Sequence, residues 1–415
     1  MGTKYNLLSF SFLRHIRTYT TKRRLEIEME EHLINSMESK EIKPRKHPGL
    51  MKIQTVQVPA SAVKAMTVVL KVNVDRSALS EEEASNVNKW CNHQINRELR
   101  HKTYNWQPVN YDEHKALQYM VERFAPEYAV LSKIFCEIKK RQPDFHPFTL
   151  FDFGSGLGTV TWAARNLWGD TLREFFNVDS SSVMNDLANL LLRDGNEDKE
   201  MPMKGVFYRQ FLPASQNIKY DLVVSAYSFL ELPSAQNRLE TLVNLWNKTN
   251  SYLVLVEHGT NVGFQIINEA REFILDLSKR TQTQESVPMA HVFSPCPHDQ
   301  TCPRYAQDTT PCNFEVSYIP VPLLGGRDAR RERFSYVVFK KGARPQDDQQ
   351  WPRIVREPLV RRKHTVCRLC TAAGKLEEVV FTASKHGKMP YWCARSSNWG
   401  DMLPMDIKEA NNEES

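Results

Sequence analysis

Residues 151–158 read Phe-Asp-Phe-Gly-Ser-Gly-Leu-Gly, and no other stretch constrains the fold of this chain as much. The apolar run before it reads as a short buried strand, and residues 159–167 read as a helix with an apolar face. Glycine accepts positive φ and lets a ligand approach the backbone closely. The helix start beyond the turn offers unpaired N–H groups and the positive end of its dipole. Strand, glycine turn and helix together make a cradle for a phosphate or a carboxylate. A bare sharp turn would use the same glycines, so the loop alone does not decide. Asp179 adds weight, because it ends a second strand about twenty residues on, where an acid takes ribose hydroxyls.

The pattern Asp-x-Gly-x-Gly-x-Gly from Asp152 to Gly158, with Asp179 behind it, resembles S-adenosylmethionine-dependent methyltransferases more than nicotinamide enzymes. The nicotinamide fingerprint would place its third glycine at Thr159. Strand and helix signals then alternate. Strands are expected at 148–153, 174–178, 206–209, 220–226 and 251–257, with helices at 183–192, 233–246 and 262–279. Two further strands are expected at 315–319 and 334–339. This order predicts an α/β chain with a class I S-adenosylmethionine-dependent methyltransferase-like doubly wound sheet ending in an antiparallel hairpin. An N-terminal helical region precedes the sheet, and a C-terminal cysteine-containing, basic extension follows it.

A chain of 415 residues makes two or three domains the starting expectation. No apolar run approaches the roughly twenty residues a membrane helix needs. The net charge of +6 hints at a polyanionic partner, although a basic compartment would explain it equally. Six Lys or Arg precede the first acid, Glu26, and alternate with Ser, Thr and apolar residues. Residues 1–24 therefore resemble a mitochondrial transit peptide, with a basic tail as the alternative. The expected divisions are a helical region at 25–140, including a helix start at Ser80 with Glu81, Glu82 and Glu83; a methyltransferase-like domain at 141–342; a basic extension at 343–403; and a tail at 404–415. An insertion at 291–314 is rich in proline and cysteine and has no periodicity.

Six of the eight cysteines fall late in the chain: Cys296, Cys302, Cys312, Cys367, Cys370 and Cys393. In a reducing compartment clustered thiols suggest metal rather than disulfides. Cys367-x-x-Cys370 alone resembles a zinc knuckle, but the spacing of Cys296, Cys302 and Cys312 is loose for zinc. Cys-Pro at Cys296 and Cys302 is a habit of iron–sulfur loops. Spacing leaves zinc and an iron–sulfur cluster both open.

The basic extension has ten Lys or Arg against three acids between Arg353 and Arg395. Arg361, Arg362, Lys363 and Arg368 lie close together there and are candidates for nucleic-acid phosphates. Tyr391 and Trp392 are suited either to stacking on unpaired bases or to packing a small core.

The motifs FDFGSGLGT, YDLVVSAYSFLEL, LVLVEHGTNVGF, SPCPHDQTCP, PCNF, WPRIVREPL, HTVCRLC and RSSNWGD are together specific. Over roughly residues 85–403 the chain resembles the methyltransferase-like protein 17 family of mitochondrial small-ribosomal-subunit assembly factors. The resemblance implies a fold able to hold S-adenosylmethionine, through Asp152, Gly154, Ser155, Gly156, Gly158 and Asp179. It also implies a [4Fe–4S] cluster on Cys296, Cys302, Cys312 and Cys370, with Cys367 the rival for the fourth place and Cys393 a supporting residue. A matrix protein is implied, monomeric on the small subunit and in contact with rRNA, ribosomal proteins and other assembly factors. The family's Gly-Thr-Pro after the fifth strand is Gly259-Thr260-Asn261 here.

A catalytic residue is harder to find. Base N-methylating enzymes carry Asn/Asp-Pro-Pro-aromatic after the fourth strand, where this chain has Ser225-Ala226-Tyr227-Ser228. No nucleophilic cysteine stands there either. Glu257 and His258 are suited to act as a base with its orienter or as a structural pair. An assembly factor that binds without methylating is therefore expected, with an active rRNA methyltransferase as the alternative.

Overall fold

The structure, a computed structural model, describes residues 25–76, 109–213, 217–280, 289–307, 310–322 and 328–409. The expected transit peptide, the helix start at Ser80 and Cys91 lie outside these. In chain order the elements begin with β1 (Leu25–Glu28), α1 (Glu31–Glu38), α2 (Ala60–Arg76) and α3 (Glu113–Arg141). The central unit follows with β2 (Thr149–Phe153), α4 (Thr159–Trp168), β3 (Glu174–Val178), α5 (Ser182–Leu192), β4 (Val206–Arg209), β5 (Tyr220–Ala226), α6 (Ala235–Lys248), β6 (Thr249–His258) and α7 (Asn261–Arg280). It ends with β7 (Ala290–Ser294), β8 (Phe314–Tyr318) and β9 (Arg330–Lys341). The extension carries β10 (Arg353–Ile354), β11 (Leu359–Val360), β12 (Thr365–Cys370), β13 (Leu376–Phe381), α8 (Lys388–Ser396) and β14 (Asp406–Glu409).

The central sheet runs β4-β3-β2-β5-β6-β9-β7, with β8 also paired to β9. Neighbours from β4 to β6 are parallel, and β9 is antiparallel to both β6 and β7. This is the methyltransferase-like α/β sheet that the strand order predicts. Alternation along each strand fills two cores. Leu150, Leu222, Val224 and Val254 face the side of α3, α4 and α5, whereas Phe151, Val223, Leu253 and Leu255 face α6 and α7. Strands covered on both faces read as unbroken apolar runs, and this makes β5 legible to the residue, whereas β4 is an edge strand with alternating exposure. Among the described residues no helix is long and apolar enough to cross a membrane.

Three features differ from the sequence expectation. The insertion begins inside β7, which pairs with β9 from His291↔Lys340 onward. Its few apolar residues are overshadowed by the prolines and cysteines that follow. The expected tail contains β14, which pairs antiparallel with β1 in the register Leu25↔Glu409 to Glu28↔Asp406. The start of the expected helical region therefore packs with the far end of the chain. A third core joins Leu33 and Met37 of α1 to Trp351, Leu369, Phe381 and Leu403 of the extension. Pairing between distant chain ends leaves no local signature.

A buried ion pair fastens the extension to the central unit. Arg353 Nη2 on β10 donates to Glu137 Oε1 on α3 at 2.6 Å, and the same guanidinium reaches Pro295 O and Gly400 O.

Candidate cofactor and thiol sites

The glycine loop is held by its neighbour strand. The Gly154 and Ser155 amides both donate to Val178 O, at 2.7 and 3.0 Å. Gly154, Gly156 and Gly158 have φ of +69°, +48° and +72°, the left-handed region that glycine occupies without strain. A Cβ on Gly156 would meet only Met184 Cε at 3.5 Å, so the space above the loop is open to a ligand. Asp179 closes the turn: its Oδ2 accepts from Gly156 N at 2.8 Å and its Oδ1 from Ser181 N at 2.9 Å. Burial pushes its carboxyl up, and those two amides oppose the shift.

Asp152 lies at the loop's base, fully buried, and neither carboxylate oxygen has a hydrogen-bond partner. Ser155 Oγ, Ser225 Oγ and Tyr208 Oη are likewise buried and unsatisfied. Unpaired buried polar groups are costly, so a group of them beside an open glycine cradle fits a bound polar ligand. Burial, reinforced by the charges of Asp179 and Glu127, raises the Asp152 carboxyl well above the usual range. A ligand ammonium would relieve that cost. The residues present thus fit S-adenosylmethionine, which offers an ammonium and ribose hydroxyls.

Helix α3 and Tyr111 just before it bring further groups to this edge that the sequence analysis did not single out. Tyr119 Oη donates to Glu127 at 2.6 Å, while Arg123 reaches Glu127 and Glu332, both at 3.2 Å. Tyr111 Oη donates to Glu231 at 2.8 Å, and burial pushes that carboxyl up to about 7. The wall of the site is acidic and suits a cation.

The positions where catalytic groups were sought are turned to structural use. Ser228 Oγ donates to Ala226 O at 3.0 Å, with Phe153 O 3.2 Å away. Tyr227 has φ +60°, and its ring lies under the Arg123 guanidinium and against His258. The Glu257 carboxylate is engaged by backbone groups, that of His258 among them. Glu257 Oε1 accepts from Leu230 N at 3.1 Å, and His258 Nδ1 lies 3.9 Å from Glu332.

The second site is assembled from distant segments. Cys296, Cys302 and Cys312 stand on the connection from β7 to β8, and Cys370 ends β12. Burial, then the charges of Cys296, Cys312 and Cys302, push the Cys370 thiol up. His298 Nε2 lies 3.3 Å from Cys370 Sγ. The connection is pinned by Ser335 Oγ on Cys312 O at 2.8 Å, Asn313 Nδ2 on Gly259 O at 2.7 Å and Gln350 Nε2 on Pro297 O at 2.6 Å.

Cys367 and Cys370 are three apart on a strand and so face opposite sides of it. Cys367 points into the third core toward Ala394 O, and burial alone lifts its thiol to about 12. Cys393 sits in the same core, 3.7 Å from Met37 Sδ. The described cysteines are free thiols. Among the described residues no group of three or more His, Cys, Asp or Glu side chains is placed to hold a metal ion. Thiols are the donor type of a cluster, which would spread its ligands around several metal atoms.

The basic candidates lie on β12 and the turn before it. Arg361, Arg362 and Lys363 are exposed in the turn between β11 and β12. Arg368 is exposed but paired, its Nε 2.8 Å from Glu378. Tyr391 is buried in the third core and Trp392 is 47% exposed, so of the two only Trp392 is available for stacking.

The family model described as mitochondrial small ribosomal subunit Rsm22 matches residues 113–404. The human mitochondrial ribosome assembly protein METTL17 is 36% identical over 395 residues, covering 87% of this chain and 86% of that protein. The Saccharomyces cerevisiae mitochondrial ribosome assembly protein RSM22 is 22% identical over 47% of this chain and 45% of its own length. Among solved structures, an S-adenosylmethionine-dependent methyltransferase from Aquifex aeolicus aligns with a TM-score of 0.29 at 16% identity, over 39% of this chain and 88% of that one. With most of its length matched by the family model and by a relative above 30% identity, the chain belongs to the mitochondrial small ribosomal subunit Rsm22 family.

Proposed function

We propose that this protein acts in the mitochondrial matrix as an assembly factor of the small ribosomal subunit. It works as a monomer on the subunit, contacts rRNA, ribosomal proteins and other assembly factors, and transfers no methyl group. The observation that carries this reading is membership of the family together with a preserved cofactor cradle whose catalytic edge is taken up by structural contacts. Ser228 is turned onto backbone carbonyls, Tyr227 is packed under Arg123, and Glu257 holds the 229–231 turn.

S-adenosylmethionine, when bound, carries an activated methyl group. The chain's own part is to seat its methionine end on Gly154, Ser155, Gly156 and Gly158, pair its ammonium with Asp152, and offer Asp179 to the ribose. The [4Fe–4S] cluster, held by Cys296, Cys302, Cys312 and Cys370, would tie the β7–β8 connection to the extension and add binding energy to folding. Arg361, Arg362 and Lys363, with Arg368 beside them, supply the phosphate contacts, and Trp392 a stacking surface.

The preserved cradle favours one other reading, an active rRNA methyltransferase, because methyl transfer can proceed by positioning alone. Purified protein, small-subunit precursors and methyl-labelled S-adenosylmethionine separate the two. The expected result is binding by calorimetry with no label on rRNA; stoichiometric label overturns the assembly-only reading. For the contact surface, reversing Arg361, Arg362 and Lys363 to Glu should release the protein from precursor subunits and flatten the salt dependence, with iron content unchanged. Co-sedimentation at the wild-type level would place the contact elsewhere.

A further inference from the structure

We propose that Arg271 is the buried countercharge of the thiol site, a positioning residue that fixes the loop between Cys296 and Cys302 and sets the charge balance of the cluster. The inference rests on reading Cys296, Cys302, Cys312 and Cys370 as ligands. Arg271 lies on α7 and is 3% exposed. Its Nη2 donates to His298 O at 2.9 Å and to Gln300 O at 2.7 Å, two carbonyls in the span between those cysteines. Its Nε is buried with no hydrogen-bond partner, and its charge acts on Cys296, Cys302 and Cys370. One buried cation therefore serves three of the four sulfurs.

Arg304 and Arg356 act on Cys312, and both are engaged at Thr310 Oγ1, at 2.7 and 3.0 Å. The acid facing Arg271 is Glu272, 2.5 Å from Nη1 and 37% exposed, so its charge is partly screened by water. A guanidinium stays charged at every accessible pH. Placed among buried thiolates, it offsets a negative charge that the pocket would otherwise carry uncompensated. Adding one electron deepens that negative charge, so the cation favours the reduced cluster and raises its potential.

The test is a one-electron titration of the full chain with dithionite, followed by visible absorbance, on anaerobically reconstituted wild type, Arg271→Lys, Arg271→Met and Glu272→Gln. Arg271→Met should lower the reduced-to-oxidised ratio at fixed potential about tenfold, equivalent to about 59 mV for one electron. Arg271→Lys should stay near wild type, and Glu272→Gln should shift the ratio the opposite way. If Arg271→Met holds no iron, Glu272→Gln decides. A wild-type midpoint in Arg271→Met, or a Glu272→Gln shift in the same direction as Arg271→Met, overturns the countercharge. A wild-type chain without iron or sulfide after reconstitution overturns the cluster reading, and this inference with it.

Discussion

The glycine-loop site and the thiol site differ in how the chain builds them. The first is nearly local: Asp152 to Gly158 and Asp179 come from two adjacent parallel strands and the turns that leave them. The second joins a connection on the central unit to a strand of the extension, and β12 reaches it only because β10, the third core and the Arg353–Glu137 pair fix the extension in place. A local site should survive damage to distant packing, whereas an assembled site should fail with it.

The largest effect expected is at the joint between the extension and the central unit, where Arg353 lies across the strand pair from Cys370 and holds Pro295 O. Arg353→Met leaves the buried Glu137 without its main partner and should cost about 3–5 kcal/mol. Urea unfolding should show the loss. Iron content should fall further than S-adenosylmethionine binding; equal losses in both would erase the distinction between the sites.

Next is the pair of cysteines that share one spacing. Cys370→Ser should abolish the visible absorbance of the cluster. Cys367→Ser should keep it and lose only about 1–3 kcal/mol, the cost of a buried hydroxyl lacking a good partner. Iron and sulfide analysis of both variants checks this, and the reverse pattern would exchange the two roles.

Gly154→Ala probes the local site. A Cβ there would lie 2.0 Å from Ser228 Oγ, on a backbone with φ +69°. The strain is about 1–3 kcal/mol. Calorimetry should show cofactor affinity falling, while iron content stays at the wild-type level.

The smallest effect is in pH. Burial pushes the Glu137 carboxyl up, but the Arg353 and Arg141 guanidiniums outweigh it and hold it at about 2. Its folded value lies below the ordinary 4.5, so the stability it lends is complete above that value and lost as pH falls through about 2. Glu257 has the opposite sign: burial lifts it to about 8, so its contribution is complete below 4.5 and lost as pH rises through about 8. Urea midpoints across this range should decline on both sides. Glu257→Gln should flatten only the alkaline decline.

The sequence by itself determined the central sheet and the cofactor loop. Strands buried on both faces write continuous apolar runs, and a turn with three left-handed positions writes glycines; both are properties of a few consecutive residues. It placed β5 to the residue for that reason, and it put Asp152 and Asp179 at the ends of their strands. Tertiary structure alone decided the remainder. Cys367 and Cys370 look equivalent as Cys-x-x-Cys, and only the covering of both faces of β12 sends one thiol into a core and the other toward Cys296, Cys302 and Cys312. The pairing of β1 with β14, the position of β7 at the sheet edge and the meeting of Arg271 with the cysteine loop rest on contacts between residues far apart in the chain. Such contacts are selected by what the assembled surfaces can bury and satisfy, and no local pattern records them.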